Sequence, residues 1–384
     1  MNNIEKIINK INKNIIGRED INNVINVLKT GFLSRPSGGP IVNKFQTLMS
    51  KKLGQKYSFA VTSGTAALHL AIASLELERS DEVIVPALAN IADCSVIIQE
   101  GARPVFADID SNTFNIKPEK IERKITSKTK AIIVVHMYGQ PAEMDKIRKI
   151  ANNNNLILIE DCAQAAGARY KKKYVGSFGN ISCFSFYQTK HIVAGEGGMV
   201  LTKSDKFSKI IDSIANNGIK KDNIDAYDYD RVGYNYQMTE IQAALAIVQL
   251  KKLEKLNKIR RNNVKIYKEQ FKNTDIIFQE VGSHTENAYF YLTGLLPKSL
   301  MAKRDIFLNQ VKKNGVPIKN LYPLSLPETE LMKARGNYEC PTAKMITKRL
   351  FNLYVNPGLG KNDIINFSKI IKRIYQKLKD ESRQ

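Results

Sequence analysis

Short apolar runs alternate with stretches of helical periodicity through the first half of the chain. Because the runs are continuously apolar, they predict strands that are buried on both faces. Such strands, with helices between them, indicate an α/β fold with a mostly parallel seven-stranded sheet and helices on both of its faces. The seven runs are Phe59–Val61, Val83–Pro86, Pro104–Ala107, Ala131–Val135, Leu156–Ile159, Cys183–Phe186 and Met199–Leu201.

Two further stretches of helical periodicity lie outside this alternation. The first leads up to Gly31, with Asp20 as the expected N-cap and Gly31 as the expected end of the helix. The second runs from about Thr239 to Phe271 without an internal glycine or proline, which predicts a long helix that connects two domains. We therefore predict a large domain over residues 1–250, including the N-terminal helical segment, and a second unit over residues 251–384.

The second unit is predicted to hold the connector helix and a smaller C-terminal α+β domain. Its pattern indicates two strands, a helix, loops interrupted by proline and two closing helices. The predicted strands are Ile276–Phe278 and Ala288–Leu296, and the predicted helix is Arg304–Lys313.

The composition is that of an ordinary folded protein, with 43% hydrophobic and 25% charged residues among 384. No run of about 18 apolar residues is present, and Met1–Lys6 is too polar for a secretory signal. The cytoplasm is therefore the expected location, and no membrane partner is expected. Neither a disulfide framework nor a metal site is predicted, because the four cysteines lack paired spacing: Cys94, Cys162, Cys183 and Cys340.

The formal net charge of +22 raises the alternative of a nucleic-acid-binding or regulatory protein without catalytic activity. The lysines are scattered over predicted helix faces, and runs such as Lys171–Lys173 are typical of solvated surface. We therefore expect no nucleic-acid partner. A basic field could instead help to gather a substrate that carries a pyrophosphate group.

Lys190 has the most informative surroundings of any lysine in the chain. It follows a predicted strand and precedes the glycine-rich segment Gly195–Gly198. An amine in such a place can form an imine with the aldehyde of a cofactor and can then move a proton between carbon atoms. A solvated loop lysine is the alternative, and only the flanking residues favour the catalytic interpretation.

Asp161 and Gln164 provide part of that flanking context. Asp161 ends a predicted buried strand, and ligands of parallel sheets bind at the carboxyl ends of strands. An ionised carboxylate there would keep a pyridine nitrogen protonated. Gln164 could donate a hydrogen bond to a ring hydroxyl or lie against the ring face. The alternatives are a turn-capping aspartate and a polar residue near a helix start.

A phosphate cradle is predicted where Ser63, Gly64 and Thr65 open a helix. Free N–H groups and the helix dipole favour an anion there, and Ser185 could add a hydroxyl from across the site. A plain N-cap is the alternative. Together with Lys190 and Asp161, the cradle indicates a site for pyridoxal phosphate (PLP), whose ring accepts electrons from a carbanion.

The chain resembles the DegT/StrS family of sugar aminotransferases. The similarity runs in order over nearly the whole sequence, which makes it more specific than any single motif. The matching segments are Thr62–Leu70, Asp81–Pro86, Pro104–Asp110, Glu160–Ala168, Gly176–Gly179, Phe184–Lys190, Gly195–Gly198 and Gly233–Ala244.

This resemblance implies a fold-type I PLP enzyme of glycan biosynthesis. It implies transfer of an amino group from glutamate or glutamine to a keto group of a nucleotide-linked deoxysugar. In the family, the residues that match Lys190, Asp161, Gln164 and Ser185 have the roles given above. The resemblance also implies a homodimer with shared active sites, in which the segment Asn235–Gln237 reaches the cofactor phosphate of the neighbouring subunit.

Two alternatives remain within the family. One is an aminotransferase that acts on a cyclitol ketone. The other is a PLP-dependent nucleotide-sugar dehydratase, in which a histidine replaces the imine lysine. His191 stands next to Lys190, so an error of one residue in the alignment would change the interpretation.

The sequence also departs from the family pattern. Ala89–Asn90 stands where a threonine and an aromatic residue are usual, so Asn90 becomes the candidate to cover the cofactor face on which that ring commonly stacks. Gln237 replaces a common arginine or asparagine. No histidine follows Tyr322–Pro323, a region expected to help shape the substrate pocket.

Overall fold

The fold is described from a computed structural model that covers residues 5, 7–9, 15–35, 38–220 and 228–382. The main helices are α1 (Arg18–Thr30), α2 (Pro40–Leu53), α3 (Gly64–Ala73), α4 (Ala92–Gln99), α5 (Pro118–Glu122), α6 (Met144–Asn153), α7 (Asp205–Ala215), α8 (Glu240–Gln270), α9 (Arg304–Lys313), α10 (Glu330–Lys333), α11 (Pro341–Thr347) and α12 (Lys361–Asp380). Short 3-10 helices occur at Met137–Gly139, Lys298–Lys303 and Leu326–Glu328.

Among the described residues, the strands form three sheets of seven, four and three strands. In chain order they are β1 (Tyr57–Val61), β2 (Glu82–Pro86), β3 (Arg103–Ala107), β4 (Thr129–Val135), β5 (Ile157–Asp161), β6 (Arg169–Tyr170), β7 (Lys173–Tyr174), β8 (Ile181–Ser185), β9 (Gly198–Thr202), β10 (Ile277–Phe278), β11 (Thr285–Glu286), β12 (Leu292–Leu295), β13 (Ile318–Lys319) and β14 (Leu350–Leu353).

The seven-stranded sheet has the order β1-β9-β8-β5-β4-β2-β3. Strand β9 runs antiparallel to β1 and β8, and the other pairs are parallel. All seven predicted strands are present in it, so the predicted α/β fold class is confirmed.

Strand β4 shows why continuous apolar runs form this sheet. Ile133 and Val135 pack into a core with helices α3, α4 and α7 on one face. The alternate residues Ile132 and Val134 pack on the other face, in a core with α5 and α6. Because both faces are covered, every position from Ala131 to Val135 is buried, and no polar residue alternates.

The N-terminal helix begins three residues earlier than the cap prediction required. Helix α1 starts at Arg18 with Gly17 as its N-cap, so the assignment of Asp20 as the N-cap is wrong. Asp20 is the third helical residue, and its Oδ2 accepts a hydrogen bond from the Gly17 N–H (2.8 Å). The carboxylate satisfies a free helix donor from inside the first turn. Gly31 ends the helix in a left-handed conformation, as predicted.

Helix α8 follows the prediction closely, since Thr239 is its N-cap and Phe271 its C-cap. The Thr239 hydroxyl accepts a hydrogen bond from the Gln242 N–H, and the Gln242 side chain accepts one from the Thr239 N–H, which forms a capping box. The helix is 31 residues long and packs against α1, α2 and α12. The division into domains at residues 250 and 251 stays a proposal.

The C-terminal part contains the predicted helix Arg304–Lys313 and a sheet of order β10-β12-β14-β13. The strand predicted over Ala288–Leu296 is shorter, because the Ala288 and Phe290 N–H groups donate to carbonyls of the Met137–Gly139 region instead of joining the sheet. Strands β13 and β14 were not predicted. Strand β14 has only four residues, too few for its pattern to be separated from a helical one.

No helix in the described part of the chain is long and apolar enough to cross a membrane. The predicted cytoplasmic location stays a prediction. Most of Met1–Lys6, on which the expectation of no secretory signal rests, lies outside the described residues.

Candidate active site

A cavity of about 220 Å³ opens where β5 and β8 end and helix α3 begins. This is the edge of a parallel sheet at which ligands bind. Eight of the ten predicted site residues line it. The complete lining is Ser63, Gly64, Thr65, Leu68, Asn90, Ala92, Asp161, Ala163, Gln164, Ser185, Tyr187, Lys190 and Glu196.

The Lys190 side chain is partly buried in this cavity, with its Nζ 4.6 Å from the centre of the Phe290 ring. Burial lowers the pKa of the amine to about 8, although the nearby carboxyl groups of Asp161 and Asp93 act in the opposite direction. A lysine with this pKa has a much larger neutral fraction near neutral pH than a solvated one. The neutral amine is the form that can act as a nucleophile or accept a proton.

Asp161 is the last residue of β5 and is buried. The Ala163 N–H donates a hydrogen bond to its Oδ1 (2.8 Å). Burial raises the pKa of this carboxyl, whereas the Ala163 N–H and the charge of Lys190 favour the ionised form. A carboxylate in this position can pair with a positively charged ring nitrogen.

Gln164 is held by hydrogen bonds at both ends of its amide. Its Oε1 accepts from the Tyr138 N–H (3.0 Å), and its Nε2 donates to the Tyr322 hydroxyl (2.7 Å). The Asn90 side chain also interacts with that hydroxyl. The second Nε2 proton of Gln164 is available to a ligand.

The anion cradle lies at the N-terminus of α3. The Ser63 Oγ accepts a hydrogen bond from the Ala66 N–H (3.0 Å) and so caps the helix. The N–H groups of Gly64 and Thr65 are in the first turn, where a helix offers no acceptor. The hydroxyls of Thr65 and Ser185 complete a set of donors suited to a phosphate group.

Two glycines allow strands β8 and β9 to approach the N-terminus of α3 closely. A Cβ on Gly64 would lie 2.7 Å from the Ser185 Cβ, and a Cβ on Gly198 would lie 2.1 Å from the Ser63 carbonyl oxygen. Any larger residue at Gly198 would force the backbone of β9 away from α3. The position of the Ser63 segment therefore depends on the absence of a side chain there.

The residues that line the cavity fit PLP. The N-terminus of α3 offers donors for a phosphate group, Asp161 offers an anion for a ring nitrogen, and Lys190 offers an amine for an aldehyde. Three chemically different groups of one ligand thus meet three matching groups of the protein.

Asn235 and Gln237 do not line this cavity within a single chain. The Gln237 Nε2 donates to the Asn216 Oδ1 (2.7 Å), and Asn235 forms an isolated backbone bridge with Asn216. Their predicted action across a dimer interface stays a prediction.

Asp93 was given no role from the sequence, and Tyr322 was expected only as part of a region that helps to shape the substrate pocket, yet both are near the site. Asp93 is fully buried in the first turn of α4, close to Asp161. A carboxylate in an otherwise apolar helix segment was the available signal. Tyr322 comes from the loop after β13, and only its contact with Gln164 shows that it belongs to the site.

His191 does not share the position of Lys190. Its ring is buried, and its Nε2 lies 3.1 Å from the Ala288 carbonyl oxygen. The lysine therefore faces the cavity and the histidine faces away from it, which disfavours the dehydratase alternative.

One cluster in the described part of the chain brings three potential metal ligands together, namely His136, Glu160 and Cys162. The Ala142 N–H donates to His136 Nδ1 (3.1 Å), so Nε2 carries the ring proton and donates to Glu160 (3.1 Å). Backbone N–H groups of Gly176, Phe178 and Gly179 also donate to Glu160. Because these bonds occupy the ligand atoms of His136 and Glu160, two of the three groups, the cluster is a structural network.

Comparison with known proteins gives consistent results over almost the full length. A model of the DegT/DnrJ/EryC1/StrS aminotransferase family matches residues 14–372. Spore coat polysaccharide biosynthesis protein SpsC of Bacillus subtilis is 38% identical, with 94% of this chain and 95% of that protein covered. GDP-perosamine synthase of Vibrio cholerae is 33% identical, with 91% and 94% covered. The PLP form of Spr1654 from Streptococcus pneumoniae has a TM-score of 0.88 at 25% identity, with 94% and 97% covered.

Proposed function

The chain belongs to the DegT/DnrJ/EryC1/StrS aminotransferase family, and we propose that it transfers an amino group to a keto group of a nucleotide-linked sugar. It is an aminotransferase, and its cofactor is PLP. The predicted family and cofactor are thus confirmed. The observation that carries the proposed reaction is the meeting of Lys190, Asp161 and the α3 N-terminus in one cavity.

The acceptor class is proposed from the relatives. GDP-perosamine synthase, by its name, makes a sugar linked to a nucleoside diphosphate, and the similarity to it covers 91% of this chain. We propose glutamate or glutamine as the amino donor. The net charge of +22 supports an anionic substrate, because a positive field raises the rate at which anions are captured.

Each residue of the cavity has a separate proposed role in amino transfer. When bound, PLP would supply an aldehyde carbon that takes up the amino group and a ring that accepts electrons. Lys190 Nζ would hold the cofactor covalently, and the free amine would remove and return the proton on the reacting carbon. The Asp161 carboxylate keeps the ring nitrogen protonated. The α3 N-terminus binds the phosphate, and Gln164 orients the ring.

We further propose that the active unit is a homodimer. Helix α1 carries an apolar stripe at spacings of four and three residues, Ile21, Ile25 and Leu28, which are 51%, 39% and 50% exposed. Three neighbouring aliphatic side chains on one helix face favour a protein surface as their partner. A second copy of the chain is that partner, and Asn235, which is exposed, belongs to the segment proposed to reach the neighbouring cavity.

Replacing Ile25 by glutamate should therefore weaken self-association by at least about 10-fold, because a carboxylate buried in an apolar interface loses its hydration. Sedimentation velocity over a range of protein concentrations measures the change. The matched control is Asn26→Glu, which adds the same charge at an exposed position of the same helix. Equal association of the two variants would remove the α1 stripe from the interface.

The amino-transfer reaction itself is tested with glutamate and a panel of keto-compounds. The panel contains a nucleotide-linked keto-sugar, the same sugar without its nucleotide and a cyclitol ketone. We expect formation of one 2-oxoglutarate per aminated nucleotide-linked sugar, and much slower reaction with the other two. Ammonia release without 2-oxoglutarate would indicate a dehydratase, and preference for the cyclitol would overturn the proposed acceptor class.

A further inference from the structure

Asp93 is a carboxyl group that the mechanism above does not use, although it lies beside the cavity. It is fully buried, and neither of its carboxyl oxygens accepts a well-formed hydrogen bond from any residue the structure describes. The Asp161 carboxyl is the side-chain group that interacts with it most strongly. A buried polar side chain of this kind needs a partner, and the neighbouring carboxyl is the one in reach.

The start of helix α4 holds Asp93 in this inward position. The Asn90 Oδ1 accepts a hydrogen bond from the Ala92 N–H (2.9 Å), and the Asp93 N–H donates to the Asn90 carbonyl (3.1 Å). These bonds fix the turn that precedes the helix. The Asp93 side chain is thereby directed into the molecule, where solvent cannot satisfy it.

Two adjacent buried carboxyl groups cannot both be ionised at low cost, so they share one proton. Burial and the Asp161 charge raise the pKa of Asp93 well above its usual range. Burial raises the pKa of Asp161 as well, but the Ala163 N–H and the charge of Lys190 stabilise its anionic form. The shared proton therefore resides on Asp93.

We propose that Asp93 is a positioning residue: a neutral carboxylic acid whose O–H donates to the Asp161 carboxylate. This inference rests on the role proposed for Asp161 opposite the ring nitrogen of the cofactor. With the Ala163 N–H on Oδ1, the Asp93 O–H is a second donor that fixes the orientation of the carboxylate. It also keeps Asp161 ionised, which in turn keeps the ring nitrogen protonated.

Other ionisable groups face this pair of carboxyls. Lys190 acts on both carboxyls, and His136 acts on Asp161. The Tyr322 hydroxyl and the thiols of three buried cysteines also interact electrostatically with one or both carboxyls. Burial is the main cause that raises the pKa of each of these groups. These groups are Tyr322, Cys94, Cys162 and Cys183.

The test is titration of the full-length protein with PLP, followed by absorbance, at several pH values. Asp93→Asn retains the size of the side chain and an N–H donor, and we expect its dissociation constant to stay within about 3-fold of the parent. Asp93→Leu removes the donor and should weaken binding by about 10- to 100-fold, the range for loss of a hydrogen bond to a charged group.

The pH dependence separates this role from a structural one. Because the Asp93 hydrogen bond lowers the pKa of Asp161, its loss in Asp93→Leu raises that pKa. As the pH is lowered, cofactor binding by Asp93→Leu should therefore begin to decline at a higher pH than binding by the parent or by Asp93→Asn. A variant that is merely less stable would bind less PLP, but the pH at which binding declines on acidification would stay the same.

A double-mutant cycle with Asp161→Asn keeps the test informative if Asp93→Leu folds poorly. If Asp93 acts through Asp161, Asp93→Leu should raise the dissociation constant for PLP by less than about a further 2-fold when Asp161→Asn is already present. The proposal would be overturned if all variants bound PLP equally, or if binding by Asp93→Leu declined at the same low pH as binding by the parent. It would also be overturned if Asp93→Asn lost as much affinity as Asp93→Leu. Failure of the parent protein to bind PLP would overturn the proposed function as well, whereas the sugar acceptor plays no part in this experiment.

Discussion

Replacement of Lys190 by alanine is expected to lower the rate of amino transfer by at least about 10⁴-fold, the upper limit of what one positioned acid–base group contributes. The variant loses both the covalent attachment of the cofactor and the group that moves the proton. The measurement is 2-oxoglutarate formation per enzyme molecule. Reduction with borohydride and peptide mass spectrometry should locate the cofactor on Lys190 in the parent protein and nowhere in the variant.

Two further substitutions identify which property of Lys190 is needed. Lys190→Arg keeps a positive charge but offers no primary amine, so it should be as inactive as the alanine variant. Lys203→Ala removes an exposed lysine from the turn after β9 and should leave activity unchanged. Normal turnover by Lys190→Ala would overturn the assignment of the whole cavity, because the interpretation of Asp161 and of the α3 N-terminus depends on it.

Asp161→Asn is expected to lower turnover by about 10²- to 10³-fold while part of the cofactor affinity remains. Loss of one preorganised electrostatic contact to a developing charge costs about this much in other active sites. Asparagine fills the same space but cannot balance a positive ring nitrogen, so the ring becomes a poorer electron acceptor. Single-turnover kinetics with glutamate measure the effect on the chemical step, separately from the release of products.

Asp145→Asn provides a matched control for this substitution. Asp145 pairs with Lys171 at the surface, and exposed ion pairs of this kind contribute about 1 kcal/mol or less to stability. The control should retain full activity. Turnover by Asp161→Asn at the parent rate would place the partner of the ring nitrogen elsewhere in the cavity.

The seven strands of the large sheet could be predicted because each contains a run of apolar residues, and the inner strands are largely buried. The site residues at strand ends followed from the same pattern, since Asp161 and Ser185 directly close β5 and β8. In the C-terminal part the strands are short. Strand β14 therefore carried too little pattern to be recognised, although it is central to its sheet.

Asp93 could not be identified from the sequence for a different reason. An aspartate in the first turn of a helix is common, because it favours the helix dipole. Only the three-dimensional structure shows that this carboxyl is fully buried and interacts with Asp161. The predicted role of Asn235 and Gln237 cannot be examined in a single chain, because their predicted partner is the cofactor of another subunit.

The hydrogen bond between Gln164 and Tyr322 joins the cavity to the C-terminal part of the chain. Gln164 belongs to the segment after β5, whereas Tyr322 follows β13. A ligand that holds the Gln164 amide thus also favours the seated position of the Tyr322 loop. If a substrate favours the same position of Tyr322, reciprocity requires that it strengthen cofactor binding by the factor by which the cofactor strengthens substrate binding. The amide–phenol contact is therefore one link through which binding of the two ligands would be coupled.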